Sequence, residues 1–162
     1  MVKLSEKNGE HMLIDMLKDR EFQEMMSSHL KDTFAYLLER ESPFAILCNI
    51  EHVTFDPPLP QELQKLLQDL TLFMIAGYTF ESFDFDDRFL SFEAGFGPEN
   101  FGSVVSMPIL AVMQVLVEET PILINLANPP ADYRSVKEEE GIQSSMETFL
   151  SNPENQKFLK KK

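Results

Sequence analysis

Leu30, Phe34, Leu37 and Leu38 recur at i, i+4, i+7 and i+8, which places them on one face of a helix. With Ser27 and Ser28 as N-caps and Pro43 as the stop, the spacing predicts a helix over 28–41. A weaker helix is expected over 11–26, with Leu13, Met16 and Leu17 as its apolar side and Asn8-Gly9 loosening its start.

From Phe44 the pattern shortens to a period of two or to continuous apolar runs, as strands require. Strands are expected at 44–50, 71–76, 79–85, 89–96, 103–107 and 122–126. Pro57, Pro58 and Pro60 interrupt pairing because proline donates no ladder hydrogen bond, and 61–69 is expected to hold a short helical stretch. Asp86-Asp87-Arg88 and Gly97-Pro98-Glu99-Asn100 read as turns. Pro108 can open a helix, so 109–116 is expected to be helical. The fold class predicted is α+β, mainly β: a small, antiparallel, barrel-like core after one or two N-terminal helices.

Charge divides the chain further. Acids and bases number 9 and 6 in 1–43, 12 and 2 in 44–129, and 6 and 6 in 130–162. The expected organisation is a helical segment 1–43, a β domain 44–129 and a flexible tail 130–162, which is polar apart from a transient helix near 143–150. A total of 14 basic against 27 acidic residues gives a formal charge of −13, a surface that repels a phosphate backbone. Nucleic acid is therefore not an expected partner. The apolar run 109–117 is broken by Gln114 and falls short of the ~20 residues of a membrane span, so no membrane is expected either. The N-terminus lacks an apolar signal core and the single cysteine, Cys48, has no internal partner, which together predict a reducing, cytoplasmic setting.

Catalytic motifs fail one by one. The stretch Gly95-Phe-Gly-Pro-Glu-Asn-Phe-Gly102 has glycines but no following Lys-Ser/Thr and opens no helix, so it reads as a β-turn rather than a phosphate loop. Glu81, Asp84, Asp86 and Asp87 lack the alternating ligand loop of a calcium site and read as a solvated hairpin end. His11, His29 and His52 are dispersed, without the spacing of zinc ligands. Cys48 sits between Ile46, Leu47 and Ile50 and reads as a small core residue, with no basic activator beside it. No Gly-x-Ser-x-Gly elbow occurs. No metal, no cofactor and no enzymatic activity are expected.

Aromatic residues are concentrated instead: Phe73, Tyr78, Phe80, Phe83, Phe85, Phe89, Phe92, Phe96 and Phe101 lie within 29 residues. Phenylalanines at both strand parities point to an apolar groove or a covered face, and the helix 28–41 is one candidate cover. Along 89–96, Phe92, Ala94 and Phe96 face one way and Glu93 and Gly95 the other, so only one set can line a channel. Ala94 between two phenylalanines is expected to form the recess of that channel.

Leu90-Ser-Phe-Glu-Ala-Gly-Phe-Gly97, followed by Val105-Ser-Met-Pro-Ile-Leu-Ala-Val-Met113, resembles the stringent starvation protein B family, whose members carry a Val-x-Phe-x-Ala-x-Phe-Gly strand and then Val-Ser-hydrophobic-Pro. The order of elements is similar over about 29–129, including the Phe34-Ala-Tyr-Leu-Leu-Glu39 helix and the Leu72-Phe-Met-Ile-Ala76 strand. The resemblance implies a Sm-like or SH3-like barrel that holds peptide degradation tags, notably those added by transfer-messenger RNA, and delivers cargo to the Clp AAA+ protease. It implies peptide-binding positions at Phe55, Met74, Ala76, Phe92, Glu93, Ala94, Gly95 and Phe96. It implies a homodimer through the N-terminal helix at Leu30, Phe34, Leu37 and Leu38, and unfoldase docking through Phe158, Leu159 and Lys160 of the tail.

Three departures bear on that reading. Gly95 replaces a family arginine and Glu93 a neutral amide, which leaves the identity of the tag open. The tail linker is shorter and nearly neutral. Residues 1–27 have no family counterpart. The competing expectation is a protein-interaction or chaperone-like module that uses the same barrel for a different protein partner.

Overall fold

The computed structural model describes residues 6–130. Two helices open it, α1 (Glu6–Lys18) and α2 (Arg20–Glu39). The break falls at Asp19, whose carboxylate accepts from the Phe22 amide at 3.2 Å and caps α2, so Ser27 and Ser28 lie inside a continuous helix rather than at its start. α2 ends where Glu41 takes a left-handed φ of 54° just before Pro43. Its stripe turns inward: Leu30, Phe34 and Leu37 are buried, and the Phe34 ring lies 5.2 Å from Phe83, 5.8 Å from Phe85 and 5.9 Å from Phe44.

The rest of the chain folds as β1 (Phe44–Asn49), β2 (Thr54–Asp56), α3 (Gln61–Gln64), β3 (Leu70–Ile75), α4 (Tyr78–Ser82), β4 (Asp84–Phe85), β5 (Phe89–Phe96), β6 (Phe101–Pro108), β7 (Val112–Val117) and β8 (Thr120–Ile124). The eight strands form two four-stranded antiparallel sheets, ordered β3-β1-β7-β8 and β2-β6-β5-β4. The architecture is α+β, and the strands divide between two sheets where one six-stranded barrel was expected. The core between the sheets contains Ile46 and Cys48 of β1, Phe73 and Ile75 of β3, Phe92 of β5, Val105 and Met107 of β6, and Val112 and Val115 of β7.

Two elements correct the sequence expectation. Residues 79–85 are not one strand: Gly77 at φ 58° turns the chain out of β3, and α4 forms with its Phe80 and Glu81 amides bonded to the Ala76 and Gly77 carbonyls. Residues 109–116 are not a helix. A single 3-10 turn at Ile109–Ala111 is followed by β7, because Val112, Val115 and Val117 are β-branched and β1 needs a partner on its second edge. Pro108 accordingly ends β6. The expected tail, its helix near 143–150 and its docking residues Phe158, Leu159 and Lys160 lie outside the described residues.

Asn125 fastens the end of β8. Its side-chain amide, with 2% of the residue exposed, donates to the carbonyls of Leu110 (3.2 Å), Val112 (2.9 Å) and Ala127 (3.2 Å), and its Oδ1 accepts from the Ala127 amide at 2.8 Å. A buried polar group is tolerated here because each side-chain atom has a partner. Among the described residues, no helix is long and apolar enough to cross a membrane.

Candidate peptide-binding cleft

β5 and β6 pair in unbroken register from Phe89↔Pro108 to Phe96↔Phe101, and the Gly97–Asn100 turn fixes that register with left-handed backbone at Gly97 and Asn100. Directly opposite residues share a face, so the ladder can be read in rows across the second sheet. One row, Phe55–Val105–Phe92, points inward to the core. The next row, Asp56–Val104–Glu93, points outward. Beyond it Gly95 and Gly102 stand opposite each other, and two side chains are missing from the surface at that place.

The result is an open cleft of about 400 Å³ whose lining includes Asp56, Tyr78, Glu93, Gly95, Gly102 and Val104. Each wall is anchored. Tyr78 at the head of α4 donates its hydroxyl to Glu93 Oε2, and that hydrogen bond to a carboxylate is the main reason the phenol is held above its ordinary range. Ser82 Oγ, at the other end of α4, accepts from the Glu93 amide at 2.9 Å and donates to the Thr79 carbonyl at 2.9 Å. On the opposite side Ser103 Oγ donates to the Pro57 carbonyl at 2.9 Å and ties the β2 loop to β6. Asn100 leans over Gly95, while nothing stands within 4 Å of the position a Gly102 β-carbon would take. Asp56 and Glu93 are exposed and acidic, and the lining contains no lysine or arginine.

The expected site residues scatter in an instructive way. Glu93 and Gly95 meet in the cleft, and Ala94 borders it while packing half-buried against the core. Phe92 is 1% exposed and belongs to the core. Phe55 and Phe96 are half-buried against each other, with ring centroids 5.6 Å apart. The open face is therefore the Glu93 and Gly95 face, and the recess expected between Phe92 and Phe96 is filled by packing. Met74 and Ala76 are exposed, but Met74 lies on the outer face of the first sheet. Of the expected dimer residues, Leu30, Phe34 and Leu37 are 0%, 0% and 3% exposed within a single chain, and Leu38 packs half-buried against the same core. The helix covers the sheets, so its stripe is not available to a second copy.

Asp56, Tyr78, Gly102 and Val104 were missed by the sequence reading. Only cross-strand register brings them beside Glu93, although the outward parity of Gly102 and Val104 followed once the turn at 97–100 was placed.

A second surface stands apart from the cleft. Across the outer face of the first sheet run the rows Leu72–Leu47–Gln114–Ile124 and Met74–Ala45–Leu116–Pro121, in which Leu72, Met74 and Ile124 are exposed. Cys48 faces the core instead, and burial pushes its thiol well up. Among the described residues, no three His, Cys, Asp or Glu side chains gather as metal ligands. No protein-family model matches the chain, and no curated protein matches it.

Proposed function

We propose that this protein is a non-enzymatic, cytoplasmic adaptor that binds peptide degradation tags and delivers the tagged cargo to a Clp-family AAA+ unfoldase. The observation that carries the reading is the glycine-floored cleft on the β5–β6 hairpin, formed by the same strands that resemble the stringent starvation protein B family. An extended peptide fits such a floor because backbone can approach backbone at Gly102, where no side chain stands in the way. In this reading the two sheets are the halves of a small Sm-like or SH3-like barrel, and residues 130–162 are the tether that docks on the unfoldase and raises the local concentration of cargo. Neither nucleic acid nor membrane is a partner. A homodimer remains part of the proposal, but through α1, where Met12, Leu13, Ile14 and Met16 are exposed.

The test is degradation of a tagged reporter by purified Clp unfoldase and peptidase. The full chain should accelerate it, and Gly102→Val, which fills the cleft floor, should not. Acceleration by neither sinks the proposal.

A second reading is favoured by the apolar outer face of the first sheet, an exposed patch of the kind that marks protein contacts. The protein is then an interaction or chaperone-like module, and Leu72→Lys with Ile124→Lys should abolish partner capture while Gly102→Val leaves it intact.

A further inference from the structure

We infer that the cleft selects a cationic side chain, the lysine or arginine of an extended peptide; this rests on the reading of the cleft as a peptide site. Asp56 and Glu93 stand in one outward row with Val104 between them. Two inter-strand steps separate their backbones by about 10 Å. That row holds two carboxylates alone, few for a metal ion that takes about six or more oxygen ligands. It suits an organic cation lying lengthwise.

Val104, 38% exposed, offers an apolar seat for the methylene stem, and the carboxylate at one end of the row receives the charged head. The open place over Gly102, beside the Asn100 side chain that covers Gly95, leaves room for the peptide backbone that carries the stem. Tyr78 engages one oxygen of Glu93 and so holds the carboxylate beside the row. No base in the lining neutralises either acid, and the formal charge of −13 draws cations toward the surface and repels acidic segments. An acidic or neutral peptide would leave both carboxylates uncompensated.

The experiment presents a random dodecapeptide library to the full chain and then titrates a selected peptide against the same peptide with its basic residue changed to glutamine. The expected result is enrichment of lysine or arginine at one position, a tenfold or greater loss for the glutamine peptide, and loss of that preference in the Asp56→Asn, Glu93→Gln double variant. Both substitutions are isosteric and exposed, and thermal melting verifies that the fold is kept. The preference should also shrink as salt rises from 0.05 to 0.5 M, by screening at about a Debye length. Selected peptides without a basic position, or a preference that survives the double variant, overturn the inference while peptide binding stands. Selected peptides that bind Gly102→Val undiminished place the site elsewhere and overturn it too. A library yielding nothing above background overturns the peptide reading itself, and the inference with it.

Discussion

Gly95 lies so close under Asn100 that a β-carbon built on it would stand 1.7 Å from Asn100 Oδ1, whereas its cross-strand partner Gly102 faces open space. The two glycines of the floor therefore answer differently to substitution. Gly95→Ala must push aside the far end of one side chain, and should cost less than about 1.5 kcal/mol. Gly102→Val gains a β-branched residue in a strand and should leave stability unchanged or raise it by about 0.5 kcal/mol, while weakening peptide binding at least about tenfold. Thermal melting beside calorimetric titration checks both; a Gly102→Val protein that melts early shows that the space is not open.

Phe34 tests whether α2 is a lid on the core. Its ring is fully buried against Phe44, Phe83 and Phe85, so Phe34→Ala should cost about 3–5 kcal/mol in a denaturant titration. Phe34→Asp should fail to fold. A folded, monomeric Phe34→Asp would return this helix to the role of a dimer interface.

Asn125 is predicted to be among the least replaceable polar residues described. Asn125→Asp removes the donors that three carbonyls share and puts a carboxylate in their place, at a cost of about 3–5 kcal/mol near neutral pH. Equal urea midpoints for the variant and the parent chain contradict the hydrogen bonding described.

Cys48 gives a pH dependence with a definite sign. Burial raises its folded-state pKa above the ordinary value of 9.0, so the unfolded chain ionises first. The stability it contributes is complete below pH 9.0 and is lost as pH rises toward the folded-state value. Between pH 7 and 10 the parent chain should lose about 1.4 kcal/mol more than Cys48→Ala. Parallel stability curves for the two proteins would show the thiol to be titratable in place.

Much of this fold was legible because burial on one side imposes alternation. The strand 89–96 was placed at its observed ends, and the strands near 44–50 and 71–76 within a residue. The errors have local causes. Phe80 and Phe83 stand at the i, i+3 spacing of a helix inside a run that otherwise reads as an aromatic strand, and the deciding feature was the backbone turn at Gly77. The run 109–116 is apolar at either period, and its state was decided by β1, a partner more than sixty residues away in sequence. Asp19 caps a helix as well as serine does, yet it was hidden inside a weak apolar pattern. The site was half legible for a related reason: Glu93 and Gly95 lie on a strand that sequence can mark, while Asp56, Tyr78, Gly102 and Val104 reach them only through pairing and a turn.

The proposed function puts peptide on the outer face of the second sheet. Amide chemical-shift mapping during titration of the full chain with a library-selected basic peptide tests it most directly. The largest shifts are expected at Glu93, Gly95, Gly102 and Val104, with Leu47, Leu72 and Ile124 of the first sheet unmoved. Shifts confined to Leu72, Met74 and Ile124 would contradict it.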